Sequence, residues 1–427
     1  MKTFNLFVLA LTLLFVGCHK NISNDGSISA SVSSEAVVLR EYGIAPKTTD
    51  AAITTALNNH YVAVQEGAVR KNILYVFLPG TYRTPGGCRA TTRKAANMGY
   101  HGIALMYDNL VAGNPLCRAT GDITCHRRAR LEVIDGVDRH PGVNVNTANS
   151  LINRLYKLLV YLNTTYPAQE WGQYIQNGAP RWDKIIIAGH SQGGAVAGVL
   201  GKFYPVKKVI MFSMIDFLNN GQIPDWETLP ANKEKYYALI NPLDELVPYD
   251  KVQAGWIALG MNAYGPITNV GTTASPYGNA HRLITTVTPP STDVDRYHNS
   301  TGVDSYIPKD ASGVYIYDKA WEYMLLTEPT PPPSNILPIA RAGADVVIYL
   351  STGVNRVLLD GSASTDADGT ISTYEWTKVS GPAATMVVKN YYSTFAAKLV
   401  KGIYTFRLKV TDNKGGSSTD DIIVDMR

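Results

Sequence analysis

Residues 184–188 read Lys-Ile-Ile-Ile-Ala and run directly into Gly189-His190-Ser191-Gln192-Gly193-Gly194. Three isoleucines in succession leave a strand no polar side to turn toward water, so both of its faces must be covered. Small residues follow, Ala195-Val196-Ala197-Gly198, and they allow a helix to pack close against that strand. A doubly covered strand, a tight turn and a closely packed helix together demand a parallel sheet between helical layers. The turn itself has the Gly-x-Ser-x-Gly pattern. Its serine sits on a sharp, strained corner, and glycines two residues before and after it make room for the strand and helix to approach. The helix that begins there offers free N–H groups and the positive end of its dipole. A serine in that position is placed to attack a carbonyl.

The surrounding chain repeats the same alternation. Apolar runs at 73–78, 102–107, 184–188, 209–212, 237–240 and 283–287 read as buried strands. Helical stretches are expected near 89–98 and 147–164, the second with Leu151, Leu155, Leu158, Leu159 and Leu162 on one face. Strand–helix alternation of this kind predicts an α/β fold with a mainly parallel sheet and helices on both faces.

Thr327-Glu328-Pro329-Thr330-Pro331-Pro332-Pro333-Ser334 breaks the pattern. Prolines lack an N–H and resist regular pairing, so 327–337 reads as a linker. Beyond it, short β-branched strands alternate with turns, which predicts an all-β sandwich over 338–427. This segment resembles the PKD family of extracellular modules. The resemblance rests on Leu359-Asp360-Gly361-Ser362-Ala363-Ser364, Asp366-Ala367-Asp368-Gly369, Tyr374-Glu375-Trp376 and Val410-Thr411-Asp412-Asn413-Lys414-Gly415. It implies a seven-stranded sandwich with Trp376 in its core, used as a spacer or weak binding module. Asp366 and Asp368 are weighed as calcium ligands against a solvated turn.

With the serine turn in its strand–turn–helix context, residues 60–305 resemble the α/β-hydrolase family, nearer to its lipases and esterases than to its peptidases. The catalytic domain is set at 35–326. The family implies an acid and then a histidine after the serine. Asp244, after the apolar run ending at Ile240, is the expected acid, with Asp216 as its rival. His298 is the expected base, and His281, just before the last strand, is the alternative read as structural. His298 would take the Ser191 proton and hand it to the leaving group, while Asp244 would orient the imidazole and stabilise its charge. The oxyanion donors would be the backbone N–H groups of Gln192 and Thr81, with Tyr82 in reserve. Segment 217–233 reads as an insertion over the active site. Trp226 and Trp256 line the substrate cleft or pack in the core.

The N-terminus is of another kind. Met1-Lys2 precedes an apolar stretch from Phe4 to Val16 and then Gly17-Cys18. That is a signal peptide, and its apolar core is too short to span a bilayer comfortably. Phe15-Val16-Gly17-Cys18 resembles the lipobox of bacterial lipoproteins, with Phe15 where Leu is usual. The resemblance implies cleavage after residue 17 and lipidation of Cys18. Residues 19–34 are polar and read as a flexible tether. An exported chain permits disulfides. Of Cys88, Cys117 and Cys125, the favoured pair is Cys117–Cys125, and the other two pairings stay open.

A formal net charge of +4 on 427 residues, without a basic run, gives no reason to expect nucleic acid as a partner. No HExxH, clustered Cys/His or phosphate-binding loop is present, so neither metal nor organic cofactor is expected. The whole sequence reads as a lipid-anchored serine hydrolase of the bacterial cell envelope, cleaving small-molecule, lipid or glycan carboxylic esters. A peptidase or acyltransferase using the same triad, and a silent glycan-binding protein, are the alternatives.

Overall fold

The computed structural model describes residues 37–427 apart from 112, 330–334, 354 and 368. The signal peptide with Cys18, the tether, Asp368 and the centre of the proline-rich linker therefore lie outside the described residues. Among the described residues, nine strands form the main sheet: β1 Val38–Ile44, β2 His60–Glu66, β3 Leu74–Leu78, β4 His101–Ala104, β5 Ile185–His190, β6 Lys208–Phe212, β7 Tyr236–Ile240, β8 Thr268–Asn269 and β9 Arg282–Ile284. Their spatial order is β1-β2-β4-β3-β5-β6-β7-β9-β8. β1 pairs antiparallel with β2, and β2 with β4. The pairs β4–β3, β3–β5, β5–β6, β6–β7, β7–β9 and β9–β8 are parallel. The sheet is thus mixed, with antiparallel pairing confined to one edge.

Alternation within the apolar runs separates two cores. Leu74, Val76 and Leu78 of β3 join Ile185 and Ile187 of β5 on one face. Tyr75 and Phe77 join Ile186 and Ala188 on the other. Helix α1 (Ala90–Asn97) and helix α6 (Asp318–Leu326) cover the second face through Ala95, Ala96, Met324 and Leu325. On the first face lie α2 (Cys125–Asp135), α3 (Leu151–Thr165), α4 (Gln192–Phe203) and α5 (Tyr249–Ala258). The leucine stripe of α3 is fully buried, and the Ser150 hydroxyl caps the helix by accepting the Asn153 N–H at 3.2 Å.

Two elements depart from the expectations. Helices are expected near 89–98 and 147–164 with none between, yet Cys125–Asp135 is helix α2, which buries Arg130 and Glu132. Segment 217–233 packs away from the serine: Trp226 is fully buried in the first core, as is Trp256. Both tryptophans are core residues, and no residue of 217–233 lines the cleft at Ser191.

Among the described residues, the C-terminal unit has seven strands in two sheets. They are β10 Val346–Ile348, β11 Val357–Asp360, β12 Ile371–Ser380, β13 Thr385–Met386, β14 Ser393–Ala397, β15 Gly402–Asp412 and β16 Ser417–Met426. The sheets run β10-β16-β15-β12 and β11-β14-β13. β15 alternates inward Tyr404, Phe406, Leu408 and Val410 with outward residues, and Trp376 is fully buried between the sheets. No helix among the described residues is long and apolar enough to cross a membrane.

Seven histidines are buried among the described residues of the larger unit, and burial holds four of them neutral. Burial pushes His60, His190 and His281 down to about 3 and His101 to about 4. Desolvation is the leading cause at each, because the imidazolium loses more hydration than the neutral ring. All four folded values lie below the ordinary 6.5. Below that pH the unfolded chain binds protons that the folded chain refuses, so stability falls as pH falls from about 6.5 toward 4. At pH 5 linkage costs roughly 2 kcal/mol per histidine. Thermal melts should show a Tm well below the neutral value by pH 5, and a flat Tm over this interval would contradict the buried neutral rings.

Candidate active site

The parallel strands deliver their functional side chains to one edge of the sheet. Ser191 follows β5, Asp244 follows β7, His298 follows β9 and Thr81 follows β3. The crevice beyond the carboxyl ends of such strands is the usual ligand position in open α/β sheets.

Ser191 has φ 52° and ψ −125°, a backbone state costing about 1–3 kcal/mol for a residue with a Cβ. Its N–H is held by the Phe212 carbonyl at 3.0 Å, and its own carbonyl accepts from Gly194 and Ala195 as α4 begins. The flanking glycines are required by contact. A Cβ on Gly189 would lie 2.2 Å from the Gly193 carbonyl, and one on Gly193 would lie 2.0 Å from the Leu78 oxygen.

The Ser191 hydroxyl lies 2.8 Å from His298 Nε2. On its other side, His298 Nδ1 stands 2.9 Å from both carboxylate oxygens of Asp244. Asp244 Oδ1 also accepts the N–H groups of Leu246 and Val247 at 2.9 Å, which anchors the carboxylate. Both side chains are nearly enclosed, at 4% and 0% exposure, so little water competes for the contact.

Asp216 is occupied elsewhere. It accepts from Arg130 Nη2 at 2.8 Å and from Trp226 Nε1 at 3.1 Å, with His126 Nδ1 at 3.1 Å. Burial opposes its ionisation, but Arg130 and His126 overcome that and hold the carboxyl well below the usual carboxylate range. His281 is also remote from Ser191, stacked between Tyr237 at 3.9 Å and Tyr264 at 4.2 Å.

Two positioning residues escaped the sequence reading. Glu245 accepts the N–H groups of Tyr297 and His298 at 3.1 and 2.9 Å, and so fixes the backbone of the histidine loop. His190 Nε2 donates to the His298 carbonyl at 2.9 Å from beneath. The signal available was adjacency, since each lies next to a residue already singled out.

Among the described residues, the N–H groups of Thr81 and Gln192 have no protein acceptor, whereas the Tyr82 N–H is turned to Asn109 O. The Gln192 N–H is one of the unsatisfied donors at the start of α4. The Thr81 hydroxyl donates to Gln192 Oε1 at 2.8 Å and ties the two loops together. A cleft of about 570 Å³ opens over Ser191 and His298, walled by Thr81, Tyr82, Met214, Leu246 and the short helix Gly113–Cys117. That helix ends at Cys117, which is disulfide-bonded to Cys125 at the start of α2. Cys88 is buried and unpaired, and burial pushes its thiol up to about 12.

A relay of hydroxyl, imidazole and carboxylate beside two free N–H donors can move a proton off an oxygen nucleophile and stabilise an oxyanion. Comparisons with known proteins describe the two units unequally. Residues 342–426 match the family model "K319L-like, PKD domain" and form a PKD domain. Over 88 residues the chain is 42% identical to human low-density lipoprotein receptor-related protein 11, covering 20% of this chain and 17% of that protein. Over 94 residues it is 42% identical to the mouse dyslexia-associated protein KIAA0319-like protein, covering 21% and 9%. The chain therefore spans under a fifth of the length of these relatives. A crystal structure from Klebsiella pneumoniae, provisionally named a dienelactone hydrolase, covers 67% of this chain and 97% of its own at 14% identity, with a TM-score of 0.34.

Proposed function

We propose that the larger unit is a serine hydrolase of the α/β-hydrolase type that cleaves carboxylic esters through an acyl-enzyme. The carrying observation is the continuous hydrogen-bonded series Asp244–His298–Ser191, with the serine on a strained turn at the carboxyl edge of the sheet. The strand order, with an antiparallel edge followed by β4-β3-β5-β6-β7-β9, supports the same reading.

In this reaction the Ser191 oxygen bonds to the ester carbonyl carbon as its proton passes to His298 Nε2. Asp244, accepting from Nδ1, keeps the imidazole in the right tautomer and stabilises its positive form. The N–H groups of Gln192 and Thr81 receive the oxyanion. Collapse breaks the bond to the alcohol, which leaves with the proton from His298. Water, deprotonated by the same imidazole, then releases the acid and restores Ser191.

Export and lipid anchoring through Cys18 are part of the proposal, resting on the Phe15-Val16-Gly17-Cys18 sequence. The PKD domain would act as a spacer. A fluorophosphonate probe on wild type and Ser191→Ala, alongside p-nitrophenyl esters, tests the catalytic reading. Labelling and turnover in wild type, both lost in the variant, are expected. A folded wild-type protein that takes no label would sink it and favour a silent binding protein.

A further inference from the structure

The walls of the cleft carry an excess of donors. Three arginines line it, Arg83, Arg118 and Arg130, against two carboxylates, Glu245 and Asp295. Arg83 is paired with Asp295 at 3.5 Å, and both Glu245 oxygens are taken by backbone N–H groups. Arg130, only 2% exposed, gives one nitrogen to Asp216, yet its Nε–H is buried without an acceptor. The side-chain Nε2 of Gln192 is likewise buried without one. Arg118 is exposed, lines the cleft and has no carboxylate partner among the described residues. Buried donors are rarely left unpaired, because each forfeits its hydrogen bond to water. The exposed, uncompensated Arg118 cation on the cleft wall, with the unpaired Arg130 and Gln192 donors enclosed behind it, is therefore matched to a ligand carrying acceptor oxygens and negative charge.

The platform under Arg118 is fixed. The residue before it is tied to Cys125 by the disulfide, and its own carbonyl accepts the Asn219 N–H at 2.7 Å. Asp225 N–H bonds the Ile123 carbonyl at 3.0 Å, and Arg127 pairs with Asp225 at 2.7 Å. A cation held on so constrained a loop loses little freedom on meeting an anion.

We propose that the cleft selects esters bearing a second, anionic oxygen group, and that Arg118 is the residue that recognises it. This rests on the hydrolase reading of Ser191. Pro115, Met214, Leu246 and Val247 supply apolar wall for the chain between the ester and the anion.

The experiment compares kcat/KM for matched pairs. The mono-p-nitrophenyl ester of adipic acid against p-nitrophenyl hexanoate places the charge on the acyl side. Para-carboxyphenyl acetate and para-acetoxyphenyl phosphate against phenyl acetate place it on the alcohol side and separate carboxylate from phosphate. Wild type should favour at least one anionic ester by about tenfold, the worth of one charge-assisted hydrogen bond. That ratio should collapse in Arg118→Ala, invert in Arg118→Glu and survive in part in Arg118→Lys. It should also shrink with added salt. An anionic-to-neutral ratio equal in wild type and Arg118→Ala overturns the proposal. Calorimetric binding of monomethyl adipate and phenyl phosphate to Ser191→Ala protein, with and without Arg118→Ala, reads recognition apart from catalysis. Binding lost with Arg118, in a protein whose wild type takes no fluorophosphonate, would retain the anion site and discard the hydrolase. Equal binding or none in both would discard the anion site.

Discussion

Replacing His298 by alanine should lower kcat/KM toward a neutral ester by roughly four to six orders of magnitude, with little change in Tm. The imidazole bridges Ser191 and Asp244, so its removal strands the hydroxyl proton and the carboxylate at once. Ser191→Ala should be about as damaging, and the double variant little worse, because the groups act as one unit. Asp244→Asn is more discriminating. The amide oxygen can still accept from Leu246 and Val247, so the loop keeps its shape. The amide cannot accept the Nδ1 proton as a carboxylate does, and a loss of about 10⁴-fold in kcat is expected from the wrong tautomer. Asp216→Asn should act on stability first, since Asp216 neutralises buried Arg130. Steady-state kinetics and melts on the five variants check this. Full turnover in Asp244→Asn together with none in a folded Asp216→Asn would assign the acid to the wrong residue.

Gly193→Ala should cost both stability and activity. The added Cβ would meet the Leu78 oxygen at 2.0 Å, the Leu78 carbon at 2.6 Å and the Pro79 oxygen at 2.8 Å. All three are backbone atoms of the strand end beside Thr81, with no flexible side chain to give way. Alanine's better helix propensity, about 1 kcal/mol, opposes the loss but is smaller than the strain. Relief requires β3 and α4 to part, which pulls the Thr81 N–H away from the Gln192 N–H. A loss of about 1–3 kcal/mol or more in unfolding free energy is expected. A drop of roughly 10² to 10³ in kcat should accompany it, the usual effect of one lost oxyanion donor. Gly87→Ala is the control, because its Cβ would meet open space. Urea denaturation and ester turnover on the pair decide it, and equal behaviour of the two variants would contradict the contact argument.

Legibility in the sequence followed how local each feature was. The central strands were readable because burial on both faces leaves an unbroken apolar run, as in β3 and β5. Their ends were less so: the run at 102–107 is strand only to Ala104, and that at 283–287 only to Ile284. β1 has the mixed composition of an edge, with most of its residues exposed, and offers no such run. Helix α2 was hidden by its charges: Arg130 and Glu132 look solvated in one dimension, yet both are buried against partners contributed by other segments.

At the site, the serine turn could be read from a few consecutive residues, since a strained serine between a closely packed strand and helix needs glycine on either side. Asp244 could not be separated from Asp216 as the partner of His298 by the same means. Asp244 and His298 stand 54 positions apart, and Ser191 and His298 107. Both aspartates follow an apolar strand in the sequence. Which one meets the histidine depends on the lateral order of the strands and on the partner that claims the other, and Arg130 claims Asp216 from helix α2. The sequence by itself determined the sheet-and-helix layering, the strained serine turn and the separate β-sandwich, because each follows from side-chain periodicity or backbone allowance within a short window. Only the tertiary structure decided the antiparallel edge, the pairing of the aspartates and the donor-rich wall of the cleft, because these arise where segments distant along the chain compete for the same hydrogen bonds and charges.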